Sequence, residues 1–238
     1  MSVRGRVALD RALPKLGLPS AADARRLIAA GRVNVDGHVV RNPTARLVPE
    51  RARISIDGAT AVPGRGPRRV LLLNKLRGTV TTRRDPEGRR TVFDVLGAAG
   101  SGLVAVGRLD LASTGLLILT NDTQLAHRLT DPSRRVTREY VVTVRGRVTP
   151  DTAREIEAGL VVPAAGPGGQ SERLSASRVE IRKASGRESH LVVALTEGRN
   201  RELRRLFGAA GHEPTRIHRI RFGDYALGDL QPGQWREV

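Results

Sequence analysis

The sequence holds no cysteine, three lysines, six aromatic residues and an acidic complement far short of its basic one. Without cysteine there is no disulfide framework, no thiolate metal site and no cysteine nucleophile. The longest apolar stretches, such as Val70-Leu71-Leu72-Leu73, are far too short for the roughly 20 residues a membrane helix needs. The opening Met1-Ser2-Val3-Arg4-Gly5-Arg6 leads into a polar helical pattern rather than an apolar leader core. We therefore expect a cytoplasmic chain with no membrane association. So few rings also argue against a platform that reads single strands by stacking successive bases.

What is present in excess is positive charge. Lys+Arg number 41 against 24 Asp+Glu, a net of +17. An imbalance of that size on a chain with an ordinary hydrophobic fraction points to a polyanionic partner, and nucleic acid is the commonest. With so few rings, the partner would be held by phosphate contacts and shape.

The 238 residues suffice for one large domain or two modest ones. Residues 1–59 read as a small α/β unit. Ser20 and Asp23 resemble a helix cap, Ala21 to Ala30 is helix-forming, and Gly31 stands where the helix should stop. Two strand–turn segments follow, Val33-Asn34-Val35-Asp36-Gly37 and Ile54-Ser55-Ile56-Asp57-Gly58. Pro14 should kink or shorten the first helix. This unit has 11 basic and 5 acidic residues, a denser excess than the 27 and 19 of residues 70–238. The general RNA grip is therefore placed here, with Arg25, Arg26 and Arg32 as candidate contacts.

Residues 60–69, rich in proline, glycine and arginine, read as a linker. Beyond it, short strands alternate with turns and brief helices. Strands are expected over 70–74, 103–106, 115–120, 139–145, 175–182 and 190–196, and helices over 91–96, 124–130, 151–158 and 200–210. The strands are too close for helical crossovers, so residues 70–238 should form an α+β domain on a mostly antiparallel sheet. Residues 163–170 read as a mobile loop.

Three segments carry candidate chemistry. In Gly107-Arg108-Leu109-Asp110-Leu111-Ala112-Ser113-Thr114-Gly115 a carboxylate sits between leucines. Burial of Asp110 is expected, and with it a cationic partner, because an unpaired buried carboxylate is costly. A turn-capping aspartate would fit the pattern equally well. Arg199-Asn200-Arg201-Glu202-Leu203-Arg204-Arg205 opens a helix with more arginine than a solvated face requires. Tyr140 begins a strand with alternate apolar residues, a place where tyrosine is more often core than site.

In this order and spacing the three segments resemble bacterial ribosomal RNA pseudouridine synthases of the RsuA/RluB type. The resemblance extends to Leu73-Asn74-Lys75-Leu76-Arg77-Gly78, to Thr120-Asn121-Asp122 and to Arg216-Ile217-His218-Arg219. It is nearest to the RluB branch, which modifies large-subunit rRNA. It implies an N-terminal RNA-binding domain of the ribosomal small-subunit-protein type ahead of a synthase domain.

The resemblance further implies isomerisation of a flipped-out uridine, in 23S rather than 16S rRNA, by a monomer that uses no cofactor or metal. Asp110 would be the catalytic carboxylate, attacking the sugar or removing its 2′ proton, with Arg204 paired to it. Tyr140 would stack on the detached base, and Arg108 would hold the vacated RNA. Lys75, Arg199 and Arg201 would contact phosphate.

Three other readings compete. A non-catalytic RNA-binding or ribosome-assembly protein would share the charge and the first domain, but leaves Asp110, Tyr140 and Arg204 unexplained. Metal-dependent hydrolysis through His212 and His218 lacks a ligand spacing. A two-carboxylate glycosidase would need a second acid in register with Asp110, and Glu197 belongs more naturally to a turn.

Overall fold

Contacts within the chain fall into two compact units, Met1–Arg68 and Arg69–Val238, each with its own apolar core. A computed structural model describes residues 6–15, 21–49, 51–61, 68–163 and 170–238. The Ser20 cap, most of the 60–69 linker and most of the 163–170 loop lie outside these residues.

In the first unit, strand β1 (Val7–Ala8) leads into helix α1 (Leu9–Lys15), which carries Pro14 in its last turn, and helix α2 (Ala21–Ala29) follows. Leu9, Leu13, Ala24 and Ile28 recur at helical spacing and are buried, leaving Arg25 and Arg26 on the exposed face of α2. Gly31, at φ +71°, ends the helical turn as expected. The following strands are β2 (Val33–Val35), β3 (His38–Val39), β4 (Arg46–Leu47), β5 (Ile54–Ile56) and β6 (Ala59–Ala61). They form a sheet ordered β3-β2-β5-β6, with β1 and β4 paired separately. Asp36-Gly37 and Asp57-Gly58 both turn with positive φ, the geometry that two-residue hairpins require. Residue 61 pairs with Ile54, so this unit runs past the boundary expected at 59.

The second unit opens with β7 (Val70–Lys75), α3 (Val92–Leu96), β8 (Val104–Val106), β9 (Thr114–Thr120), α4 (Thr123–Thr130) and β10 (Arg138–Arg145). It continues with α5 (Pro150–Ala158), β11 (Leu160–Val162), β12 (Glu172–Leu174), β13 (Arg178–Ala184) and β14 (Glu188–Leu195). Last come α6 (Glu202–Ala209), β15 (Pro214–Phe222), β16 (Tyr225–Ala226) and β17 (Trp235–Glu237). Nine strands form one mixed sheet along the path β13-β14-β10-β15-β9-β7-β17, with β16 on β15 and β8 on β9. Both faces are covered: Leu71, Leu73, Leu117 and Leu119 pack into one core, and Val70, Leu72, Leu116 and Ile118 into the other. That is why β7 and β9 read as unbroken apolar runs rather than alternating ones. No helix among the described residues is long and apolar enough to cross a membrane.

The sheet is antiparallel as expected except where β9 and β15 run side by side in the same direction. Parallel neighbours enter a sheet from the same end, so the loop before β9 and the helix before β15 arrive together. Strand β15 was not among the expected strands, because Arg216, Arg219 and Arg221 interrupt its apolar residues. Helix α6 starts at Glu202 rather than 200, because Arg201 takes a left-handed conformation (φ 49°) and bends the chain just before it.

Candidate active site

The converging segments enclose a cleft of about 440 Å³ in the second unit, lined by the 107–113 loop, the starts of β10 and α6, and β15. Asp110, Tyr140 and Arg204 all line it, although they lie on a loop, a strand and a helix. The loop is held by its backbone. Lys75 Nζ donates to the carbonyls of Leu76 (3.0 Å), Asp110 (3.1 Å) and Ser113 (2.8 Å). Thr81 Oγ1 donates to the Leu109 carbonyl at 2.9 Å, and Gly78 N to that of Leu111 at 2.8 Å. These bonds fix the Asp110 backbone while leaving its side chain free.

Two expectations are corrected here. Asp110 is not buried: its side chain is 46% exposed at the cleft mouth. The loop is a turn, so Leu109 points inward while Leu111 lies exposed, and the carboxylate between them keeps its hydration instead of paying for desolvation. Arg204 nevertheless faces it, with Nε 4.0 Å from Asp110 Oδ2, a long ion pair rather than a hydrogen bond. Arg204 Nη1 donates to the Pro214 carbonyl at 3.2 Å, which orients the guanidinium. The second correction concerns Lys75, which is 1% exposed and therefore contacts no phosphate. Burial lowers its pKa to about 8, an effect the nearby Asp110 charge partly opposes.

The other expected contacts divide. Arg108 and Arg201 are exposed on the cleft lining with no ion pair among the described residues. Arg199 lines the cleft too, but is engaged by Glu172 and Glu197, which hold its guanidinium above its ordinary pKa. In the first unit Arg25 pairs with Asp10 at 2.7 Å, Arg26 with Asp23, and Arg32 with Asp57. These three arginines are more than half exposed, and exposed pairs such as Arg32–Asp57 contribute roughly 0–1 kcal/mol, so they do not bar exchange for another anion. Asp10, the partner of Arg25, is by contrast buried and depends on its cation.

Sequence reasoning missed the floor of the cleft. Arg138 and Arg219 are both buried there, with their guanidinium carbons 4.6 and 4.9 Å from the centre of the Phe222 ring. Arg138 donates to the carbonyls of Val136, Glu197 and Leu129, and burial lowers its pKa. Glu202, also buried, has its pKa raised by desolvation, although its carboxylate accepts the Arg199 N–H at 3.0 Å. The signal was partial: Ile217 and Arg219 alternate inward, but a bulge at Ile220 shifts the next inward position to Phe222 and breaks the period. Counting arginine as solvent-facing hid that pattern.

Neither histidine considered above joins a metal cluster. His212 Nδ1 lies 2.9 Å from the Arg145 carbonyl, and His218 Nδ1 lies 2.8 Å from Thr114 Oγ1. No group of three metal-ligating side chains occurs among the described residues.

A family model for RNA pseudouridylate synthase matches residues 69–209. The chain is 40% identical to the ribosomal large subunit pseudouridine synthase B of Pseudomonas aeruginosa, over 97% of its own length and 59% of that protein's. It is 33% identical to an uncharacterised RNA pseudouridine synthase of Aquifex aeolicus, covering 98% of this chain and 90% of the other. A crystal structure of a pseudouridylate synthase superposes with a TM-score of 0.68 at 25% identity, covering 98% of this chain and 96% of that one.

Proposed function

This chain belongs to the RNA pseudouridylate synthase family, and from that premise we propose that it converts a uridine of ribosomal RNA into pseudouridine. We assign the large-subunit RNA rather than the small, and a monomer as the working form. The observation that carries the reading is the convergence of Asp110, Arg204 and Tyr140 on one cleft. A protein that only bound RNA would have no need of a carboxylate on a firmly anchored loop facing a guanidinium beside a buried ring.

The reaction breaks the bond between C1′ and N1, turns the uracil and joins C1′ to C5, with loss of the C5 proton. It is an isomerisation with no net redox change. The uridine must leave its helix to react, at a cost of a few kcal/mol. Asp110, ionised, would attack C1′ or remove the 2′ proton, with Arg204 stabilising its charge as docked RNA displaces water from the cleft mouth. Tyr140 would stack on the detached base and assist proton transfer from C5. Arg108 and Arg201, exposed and without carboxylate partners among the described residues, suit the phosphates around the flipped nucleotide. Arg199, tied to two glutamates, serves better as a brace for the turn before α6.

The first unit supplies the general grip. Its helix pair, small sheet and dense basic charge suit an RNA-binding module of the ribosomal small-subunit-protein type. Arg26 and Arg32 would exchange their aspartate partners for phosphate, and Arg25 would reach phosphate while keeping its contact with the buried Asp10.

The test is Asp110→Asn. The variant should bind ribosomal RNA within about twofold of wild type and form no pseudouridine when the RNA is mapped by sequencing. Pseudouridine formed by that variant would remove Asp110 from the mechanism.

A further inference from the structure

Resting on the reading that a uridine enters this cleft, we infer that Arg219 donates to a carbonyl oxygen of the uracil and stabilises the negative charge the base acquires when it leaves the sugar. Arg219 is 2% exposed and lines the cleft. Among the described residues its guanidinium makes one hydrogen bond, from Nε to the Leu116 carbonyl at 2.7 Å, and Nη2 is buried without an acceptor. A buried donor left unmet is a cost that a ligand acceptor would remove.

The placement selects the base over the phosphate. Tyr140 and Arg219 are direct cross-strand partners of β10 and β15, so their side chains emerge side by side on one face of the sheet. A base stacked on Tyr140 presents its edge to Arg219. Phosphates have the rim arginines, whereas Arg219 lies at the floor, beyond the exposed Asp110 that would meet the sugar. Arg138 shares the Phe222 ring with Arg219, but three of its five donors already serve carbonyls. Neither arginine forms an ion pair within 4 Å among the described residues, and the buried Glu202 carboxylate acts on Arg138, which leaves Arg219 as the cation open to an anion. The site is also rigid: a Cβ on Gly115 would lie 2.2 Å from the Arg219 carbonyl oxygen, which shows how tightly that backbone is seated against β9.

The chemistry calls for such a group. When C1′–N1 breaks, the bonding pair leaves with N1, and the uracil anion spreads its charge over O2 and O4. This holds whether Asp110 forms an ester at C1′ or takes the 2′ proton. The anion then bonds to C1′ through C5, displacing the Asp110 carboxylate in the ester route or with return of the 2′ proton to C2′ in the other. The C5 proton leaves as N1 takes up a proton, which restores the neutral aromatic base. A donor fixed in a buried site before the charge develops acts at the step where it is needed.

The experiment compares wild type, Arg219→Gln and Arg219→Lys in the full chain, in single turnover. The substrates are a ribosomal RNA fragment with uridine or 5-fluorouridine at the position where wild type forms pseudouridine. Fluorine at C5 acidifies the base and makes it a better leaving group. Arg219→Gln should slow C1′–N1 cleavage about 10²–10³-fold on uridine, and less than about tenfold on 5-fluorouridine, with RNA affinity held within about twofold. Arg219→Lys keeps the charge and most of the buried stem. It is read by the same ratio and serves if the glutamine variant does not fold.

Equal slowing on both bases, or none, would overturn the role of Arg219. So would lost affinity with a salt slope shallower by about one and an unchanged cleavage rate, the mark of a phosphate contact. No pseudouridine from wild type would instead overturn the reaction on which the inference rests.

Discussion

Asp110 and Arg204 stand 4.0 Å apart across an open cleft mouth, a distance at which charge is felt but no hydrogen bond is made. In the proposed reaction such a pair tightens as RNA excludes water, since the same two charges interact more strongly in lower dielectric. Tyr140 differs in being buried on a strand, where its ring is already fixed. Tyr140→Phe keeps the ring and its packing and removes only the hydroxyl. We expect RNA affinity and thermal stability close to wild type, with a rate loss on the order of 10²–10⁴-fold. Release of tritium from C5-labelled uridine would measure it, and an unchanged rate would confine Tyr140 to stacking.

The loop before β9 is held chiefly by one ammonium group, and this makes it sensitive to pH. Protonated Lys75 has three donors for three carbonyls, whereas the neutral amine has two and no charge. With its pKa at about 8, turnover should fall as pH rises through that value. Lys75→Met should be slow throughout and show no such limb. Stability moves the opposite way. The folded pKa lies below the ordinary 10.5, so between about 8 and 10.5 the unfolded chain holds more proton, and Lys75's contribution to stability rises with pH across that window. A pH–rate profile alongside denaturant titrations would separate the two effects. The parallel contact of β9 with β15 is equally demanding. Gly115 has φ +97° and no room for a methyl group, so Gly115→Ala should cost about 3 kcal/mol and lower the melting temperature measurably.

The two compact units and the net charge of +17 lead to a prediction about binding. Affinity for ribosomal RNA should fall by at least about tenfold between roughly 50 and 200 mM salt, because phosphate contacts release counterions. Residues 69–238 have cores on both faces of their own sheet. Removing residues 1–68 should leave that unit folded and able to modify a short RNA at high concentration, with weaker binding to structured RNA. Loss of cooperative unfolding in the shortened chain would show that the units depend on one another.

Much of this architecture was legible in local pattern. The Asp-Gly turns, the helix stop at Gly31 and the apolar strands β7 and β9 follow from φ preferences and periodicity, which neighbouring residues set. The Asp110, Tyr140 and Arg204 segments also stood out as candidates. Strand β15 did not, because inward-facing arginines do not look like a strand's buried face. Nor did the exposure of Asp110, which depends on Lys75 and Thr81 gripping the loop from elsewhere in the chain.

Residue type and spacing were thus enough to settle the α+β class, the basic character and the segments that line the cleft. Which side chains meet was decided by the parallel seating of β9 against β15. That contact brings distant stretches to one end of the sheet, buries Lys75 and Arg219, and leaves Asp110 in water. Burial and proximity depend on every element packed around a residue, and no local stretch of chain contains that information.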